Sequence, residues 1–162
     1  MGFDTIAGKK LFSLSSGKFL PDVKRQSHGY PVYGGNGVAW YTDAALIDHP
    51  TIVVGRVGAY CGNVKVVKEP VWITDNAIYI TRILSDRISL DFLYHLMSYL
   101  DLPRFADYVG QPKITQKPLE SLEYIVPPKE AQDSFVSFVQ QSDKSKLLIH
   151  KMSKIKMDLQ IN

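Results

Sequence analysis

The sequence predicts an α+β fold, a twisted mixed β-sheet with small helices followed by one long C-terminal α-helix of coiled-coil type. Three observations carry this. From Lys9 to about Ile83, short segments rich in Val, Ile, Tyr and Trp alternate with glycine clusters, as strands joined by tight loops do. After Arg87 the apolar residues recur at helical spacing. From Lys129 to Asn162 there is neither Gly nor Pro, so nothing local interrupts a helix.

The strand candidates, in order, are KLFSL, YPVYG, VAWY, TIVVG, NVKVV, VWIT and NAIYITRI. Gly34-Gly35-Asn36-Gly37, Gly55, Gly58 and Gly62 stand where the chain must turn tightly or admit another backbone. Leu90, Leu93, Tyr94, Met97 and Leu100 then mark a helix, with Ser89 as its N-cap and Asp91 in its first turn. Pro103 ends that helix or opens a short second one over PRFADYV, and Gly110-Gln111-Pro112 breaks the chain into a loop. LESLEYIVP reads as a turn of helix running into a strand, and Pro127-Pro128 closes the first domain, residues 1–128.

Residues 129–162 form the second unit. Ala131, Phe135 and Phe138, then Leu148, Met152, Ile155 and Leu159, follow three-and-four spacing. Gln140 to Lys146 between them is wholly polar, so the stripe shifts register there. At ~1.5 Å per residue the helix would be roughly 50 Å long. One small domain cannot cover it, so it is expected to pack against something else.

With 162 residues the chain holds at most one compact domain plus an appendage. Apolar residues are 45% and charged residues 22%, which excludes a disordered, collagen-like or disulfide-scaffold chain. The 19 Lys+Arg against 16 Asp+Glu leave +3, which permits a polyanionic partner without demanding one. Cys61 is the sole cysteine, so an internal disulfide or a cysteine-based zinc site cannot form. The first residues lack a leader pattern and no run of ~18 apolar residues occurs, so a cytoplasmic protein without membrane contact is expected.

Catalytic signatures are missing from the pattern. His28, His49, His95 and His150 share no metal-ligand spacing; His28 and His49 read as loop residues and His95 as lying on the polar side of its helix. Asp22-Val23-Lys24 resembles the acidic-x-Lys element of metal-dependent nucleases, although Pro21-Asp22 is explained more simply by turn chemistry. GNGVAW and GRVGAYCG match neither phosphate-loop pattern, and no Asn-Pro-Pro-Tyr or Asp-Pro-Pro-Tyr element of an amino-methyltransferase is present.

What remains is a set of basic, amide and phenol side chains in the loops: Lys18, Lys24, Arg25, Tyr33, Asn36, Arg56, Tyr60, Gln111, Lys113 and Lys117. Singly, each is an ordinary solvated residue. Together they combine phosphate ligands with groups able to read base edges, which suits DNA.

Ser16-Gly17-Lys18, YPVYGGNGV, IVVGRVGAYCGNV, TDNAIYI and FADYVGQPKITQKPLESLEYIVPPKEAQDSFVSFV occur in that order. So arranged, they resemble one half of the specificity (S) subunit of type I restriction-modification enzymes, from about Gly8 to Val139. The most telling stretch is Gly110 to Leu122, with Gln116, Leu119 and Leu122, followed by Pro127-Pro128 and Gln132. The resemblance implies that 1–128 is a DNA target-recognition domain and 129–162 a spacer or dimerisation helix. It implies a non-catalytic reader of double-stranded DNA that docks a methyltransferase (M) subunit and a restriction (R) subunit. Those partners, not this chain, would hold S-adenosylmethionine, ATP and Mg2+.

Such subunits usually carry two recognition domains and two helices; this chain has one of each, which leaves a fragment, a truncated product and a natural half-subunit all open. A half-subunit would have to pair, as a homodimer through Phe135, Phe138, Leu148, Met152, Ile155 and Leu159. Gly55-Arg56-Val57-Gly58 and Gly62 fit the family's R-x-G-x-x-x-G-like loop, and Asp75 its acidic residue before a strand holding Tyr79. Arg56, Lys18 and Lys113 are then phosphate or base ligands. Asp75 orders the loop or, more simply, caps a turn. Two other classes stay in view: a stand-alone dimeric DNA-binding regulator needing no partner enzyme, and a small metal-dependent nuclease using Asp22 and Lys24.

Overall fold

A computed structural model describes residues 2–160, with side chains described through Leu148. The chain runs β1 (Asp4–Ala7), α1 (Gly8–Leu11), β2 (Phe12–Ser16), β3 (Tyr30–Gly34), β4 (Gly37–Thr42), β5 (Thr51–Gly55), β6 (Val64–Val67), β7 (Trp72–Ile73) and β8 (Ala77–Ile83). It continues with α2 (Leu90–Tyr99), α3 (Gln116–Ser121), β9 (Glu123–Val126) and α4 (Lys129–Gln160). Single 3-10 turns cover Asp22–Lys24, Gly58–Tyr60 and Leu102–Phe105.

The strands do not form one sheet, as the strand-rich half of the sequence suggests, but three. The largest has the order β2-β8-β5-β6, a second the order β4-β3-β7, and β1 pairs with β9 alone. All ladders are antiparallel except the two-residue pairing of β3 with β7. The split lies at Thr74 to Asn76. Thr74 N–H still donates to Tyr33 of the second sheet at 2.9 Å, while Arg56 N–H of the first donates to Asn76 at 2.8 Å. The chain changes sheets in this turn, so the two sheets meet along a seam there.

β5 shows why both layers hold together. Every one of its residues is buried. Ile52 and Val54 point into the main core with Phe12, Ile78, Leu93, Met97, Leu119 and Tyr124, and Val53 points into a second core with Ile47, Val67, Val71, Ile73 and Ala77. A strand covered on both faces needs an unbroken apolar run, and TIVVG supplies it. Phe12 and Tyr124 meet edge to face with centroids 5.4 Å apart, and the Tyr124 hydroxyl donates to Leu119 O at 3.1 Å. Burial pushes the Tyr124 phenol far up, so it stays a neutral donor.

Four sequence expectations need correction. KLFSL is not a strand throughout: Lys10 and Leu11 belong to α1, and the strand begins at Phe12. A Cβ on Gly8 would meet the Tyr124 ring at 2.9 Å, and Gly8 N–H donates to Leu122 O, so contact with distant residues bends the chain here. Asp4–Ala7, outside the strand range, pairs with β9 from Asp4↔Val126 to Ala7↔Glu123. PRFADYV holds only a 3-10 turn over Leu102–Phe105. His95 is half-buried rather than on a polar face, its ring 5.9 Å from that of Phe135, because α4 crosses that side of α2.

α2 forms as its spacing predicts, with Ser89 Oγ accepting from Phe92 N–H at 3.3 Å as an N-cap does. α4 has 32 residues, about 48 Å at ~1.5 Å per residue. Gln132, Phe135 and Val136 in its first turns pack on the domain. Phe138, Leu147 and Leu148 stay 70%, 54% and 61% exposed. The side chains of Met152, Ile155 and Leu159 lie outside the described residues. Among those described, no helix is long and apolar enough to cross a membrane.

Candidate nucleic-acid interface

The seam between the two larger sheets is closed by backbone. A Cβ on Gly55 would stand 2.9 Å from Gly35 O, so both strand ends approach more closely than any side chain allows. Gly58 turns the following loop with φ +81. That loop is strapped to the segment after Gly110: Gly58 N–H donates to Pro112 O and Ile114 N–H to Arg56 O, both at 2.9 Å, and Val57 bridges to Lys113. The glycine motif and the GQPK motif, more than fifty residues apart in sequence, thus become one rigid rim.

Behind that rim lies a cleft of about 430 Å³ lined by Asn36, Trp40, Tyr60, Thr74, Asn76 and Gln111, among others. Three of the proposed DNA-binding residues, Asn36, Tyr60 and Gln111, therefore converge. Trp40, Thr74 and Asn76 were not singled out from sequence. Trp40 and Thr74 are notable because Trp40 Nε1 and Thr74 Oγ1 are buried with no hydrogen-bond partner among the described residues, and Thr74 is only 4% exposed. A buried donor left unmade costs about 1–3 kcal/mol. No sequence signal reveals this, since a Trp in a strand and a Thr at a strand end read as structural.

A second depression, about 330 Å³, is lined by Ser16, Arg56, Thr115, Gln116, Lys117 and Glu120, with Ile78 at its base. Arg56 and Lys117 meet here. The Arg56 guanidinium donates to the Asp75 backbone carbonyl at 3.1 Å, so Asp75 orders the arginine through its main chain while its carboxylate stays exposed. Both depressions border the same rim.

The cations divide into two sets. Lys24 is 3.7 Å from Asp43, and Arg25 is 3.0 Å from Asp22 and lies 4.1 Å over the Trp40 ring. Lys18, Arg56, Lys113 and Lys117 make no ion pair among the described residues. Lys18 is held by backbone, its N–H donating to Ile73 O at 2.8 Å and its carbonyl accepting from Trp72 Nε1 at 3.0 Å. Tyr33 is placed apart, packed against the second core, with its phenol pushed up by burial first and then by Glu69 and Tyr41. Uncompensated cations beside polar clefts offer an anion more than compensated ones do.

Neither a nucleophile nor a metal cluster forms here. Burial pushes the Cys61 thiol up and its Sγ donates to Arg56 O at 3.4 Å, so it is a packed neutral thiol. Among the described residues no three His, Cys, Asp or Glu side chains converge on a metal-sized space. Asp22 and Lys24, the pair a nuclease would need, are each occupied by other partners.

Comparison with known proteins agrees with this architecture. The model of the family described as "Type I restriction modification DNA specificity domain" matches residues 3–157. The chain is 29% identical over 133 residues to the Type I restriction enzyme EcoprrI specificity subunit of Escherichia coli, covering 82% of this chain and 33% of that protein. Among solved structures, a type I restriction-modification S subunit from M. genitalium superposes with TM-score 0.78 at 19% identity, over 89% of this chain and 40% of the other. The HsdS subunit from Thermoanaerobacter tengcongensis gives 0.67 at 18%, over 89% and 38%. The chain thus spans about a third of that curated relative and about two fifths of those solved chains, and across the matched residues it belongs to the type I restriction-modification DNA specificity family.

Proposed function

We propose that this chain is a non-catalytic, sequence-specific DNA reader that recognises one half of a bipartite site and docks methyltransferase and restriction subunits. The observation that carries this is the rim itself. Arg56 and Lys117 line one depression and Lys113 stands on the rim, none of them ion-paired among the described residues, and the other depression holds amides, an indole N–H and a hydroxyl. Lys18, Lys113 and Lys117 have the chemistry to bind phosphates, while Asn36, Arg56, Gln111, Trp40 and Thr74 have the donors and acceptors that distinguish base pairs.

The second half of the reading concerns α4. Its exposed Phe138, Leu147 and Leu148 are apolar groups that a second helix of the same kind would cover, and the sequence continues the apolar spacing at Met152, Ile155 and Leu159. Support comes also from an apolar groove of about 670 Å³ at the helix root, lined by Phe3, Phe92, Tyr99, Ile125 and Phe135 among others. Antiparallel self-pairing would place recognition domains at opposite ends, so that a two-fold pair reads an interrupted palindrome. S-adenosylmethionine, ATP and Mg2+ belong, on this reading, to the partner subunits.

The test is reconstitution. With its methyltransferase subunit, the chain should direct adenine methylation to one two-part sequence, found by mapping methylated adenines across plasmid DNA. The chain alone, given plasmid, Mg2+, ATP and S-adenosylmethionine, should make no product; cleavage or methylation by the lone chain would overturn the reading. Sedimentation of Met152→Glu with Ile155→Glu should show association lost while the sheet domain stays folded, because unpaired charge enters the seam.

A further inference from the structure

Gln132, in the first turns of α4, is fully buried, and its amide is saturated. Its Oε1 accepts from Ser89 N–H at 3.0 Å and from Ser89 Oγ at 3.3 Å. Its Nε2 donates to Arg87 O at 2.7 Å and to Pro127 O at 2.9 Å. That is every hydrogen bond a glutamine amide can make. The partners belong to two pieces of chain: the Arg87–Ser89 segment that leads into and caps α2, and the proline pair leading into α4. Ser89 Oγ in turn accepts from Phe92 N–H, so one network joins the start of α2 to the start of α4.

We infer that Gln132 is a positioning residue that fixes the angle between the recognition domain and the spacer helix, and with it the separation of half-sites that can be read together. The inference rests on the two-half-site reading above. Two other contacts reach the same joint: Pro127-Pro128, with restricted backbone, and Phe135, whose ring stands 5.8 Å from Phe92 and 5.9 Å from His95. Aromatic packing holds the elements together but lets them slide. Four directional bonds to two segments do not.

The lever makes the angle matter. A swing of about 10° at the root of a helix of ~48 Å moves its far end by roughly 8 Å. Since base pairs rise about 3.4 Å, such play would blur the spacing by about two base pairs. A loose joint would bind half-sites at several separations alike.

The experiment uses the full chain carrying Gln132→Met, which fills the site without the bonds, and Gln132→Glu, which keeps acceptors toward Ser89 but loses the donor to Arg87 O and Pro127 O. The second variant also serves if the first does not fold. Each is offered duplexes with one half-site, or with two separated by spacers lengthened one base pair at a time. The wild type should show a single optimum, weakening about 10-fold two base pairs away, while the variants should flatten it to less than about 3-fold with single-half-site affinity unchanged.

In parallel, spin labels at Lys65→Cys and Lys144→Cys in a Cys61→Ala background report the domain-to-helix distance without DNA. The wild type should give a narrow distribution and the variants a broad one. An unbroadened distribution, or a broadened one with the spacing optimum kept, overturns the role of Gln132. A wild type with a narrow distribution and no spacing preference instead overturns the two-half-site reading, and the spacing role with it.

Discussion

At the root of α4, the buried Gln132 amide uses all four of its hydrogen-bonding positions on protein atoms, whereas in the seam cleft Trp40 Nε1 and Thr74 Oγ1, also buried, have no partner among the described residues. Both regions bring together segments far apart in sequence. The root is complete within the chain, and its polar group therefore specifies one arrangement. The cleft's two buried polar atoms find no such partners among the described residues, and neither do Arg56 and Lys113 on the rim beside it find ion pairs there. The difference teaches that burial of a polar group does not by itself mark structure or function; its state of satisfaction does.

The comparison breaks most readily at the root. Gln132→Leu leaves Ser89 N–H and the carbonyls of Arg87 and Pro127 without partners, and should cost on the order of 3 kcal/mol in urea-induced unfolding. An unfolding midpoint equal to that of the wild type would show that the four bonds of Gln132 add nothing to stability.

Thr74→Val sharpens the other side. No bond is lost with that hydroxyl, so the free protein should keep its stability within about 1 kcal/mol. Base discrimination in DNA selection should fall by about 1–3 kcal/mol at one position. Opposite behaviour, with stability lost and selection intact, would show that the hydroxyl serves the fold. Asn36→Ala and Arg56→Ala should relax single positions in the same way.

Lys113→Ala should weaken all sequences alike. If ~5 phosphates are contacted, the slope of log K against log[salt] should be near −4.5, and this variant should reduce it by roughly 1. A titration at graded salt decides it. The smallest effect belongs to Lys24→Ala: its ammonium already faces Asp43, the pair is exposed, and neither stability nor the salt slope should shift by much. A slope change as large as that of Lys113→Ala would extend the interface beyond the seam.

Much of this molecule was legible beforehand. Periodicity located seven of the strands to within a few residues because β-branched and aromatic runs bounded by glycine leave few alternatives. Ser89 marked the start of α2 by cap chemistry, and the freedom of Lys129 onward from Gly and Pro marked α4. The spaced motifs, read together, located the family. Asn36, Tyr60 and Gln111 were recognised as polar loop residues of the right kind, though nothing in their spacing said that they share a cleft.

What the sequence determined by itself is local: strand and helix type, caps, turns, and which side chains carry charge. These depend on neighbours within a few residues, and hydrophobic period or backbone restriction decides them. Only the tertiary structure decided that the strands divide into three sheets, that Asp4–Ala7 pairs with β9, that among the described residues Lys24 and Arg25 have acid partners while Lys18, Arg56, Lys113 and Lys117 have none, and that Gln132 is satisfied there where Trp40 Nε1 and Thr74 Oγ1 are not. Each of these is a distance between residues remote in the chain, and pairing, screening and hydrogen bonding act only across such distances of a few ångströms.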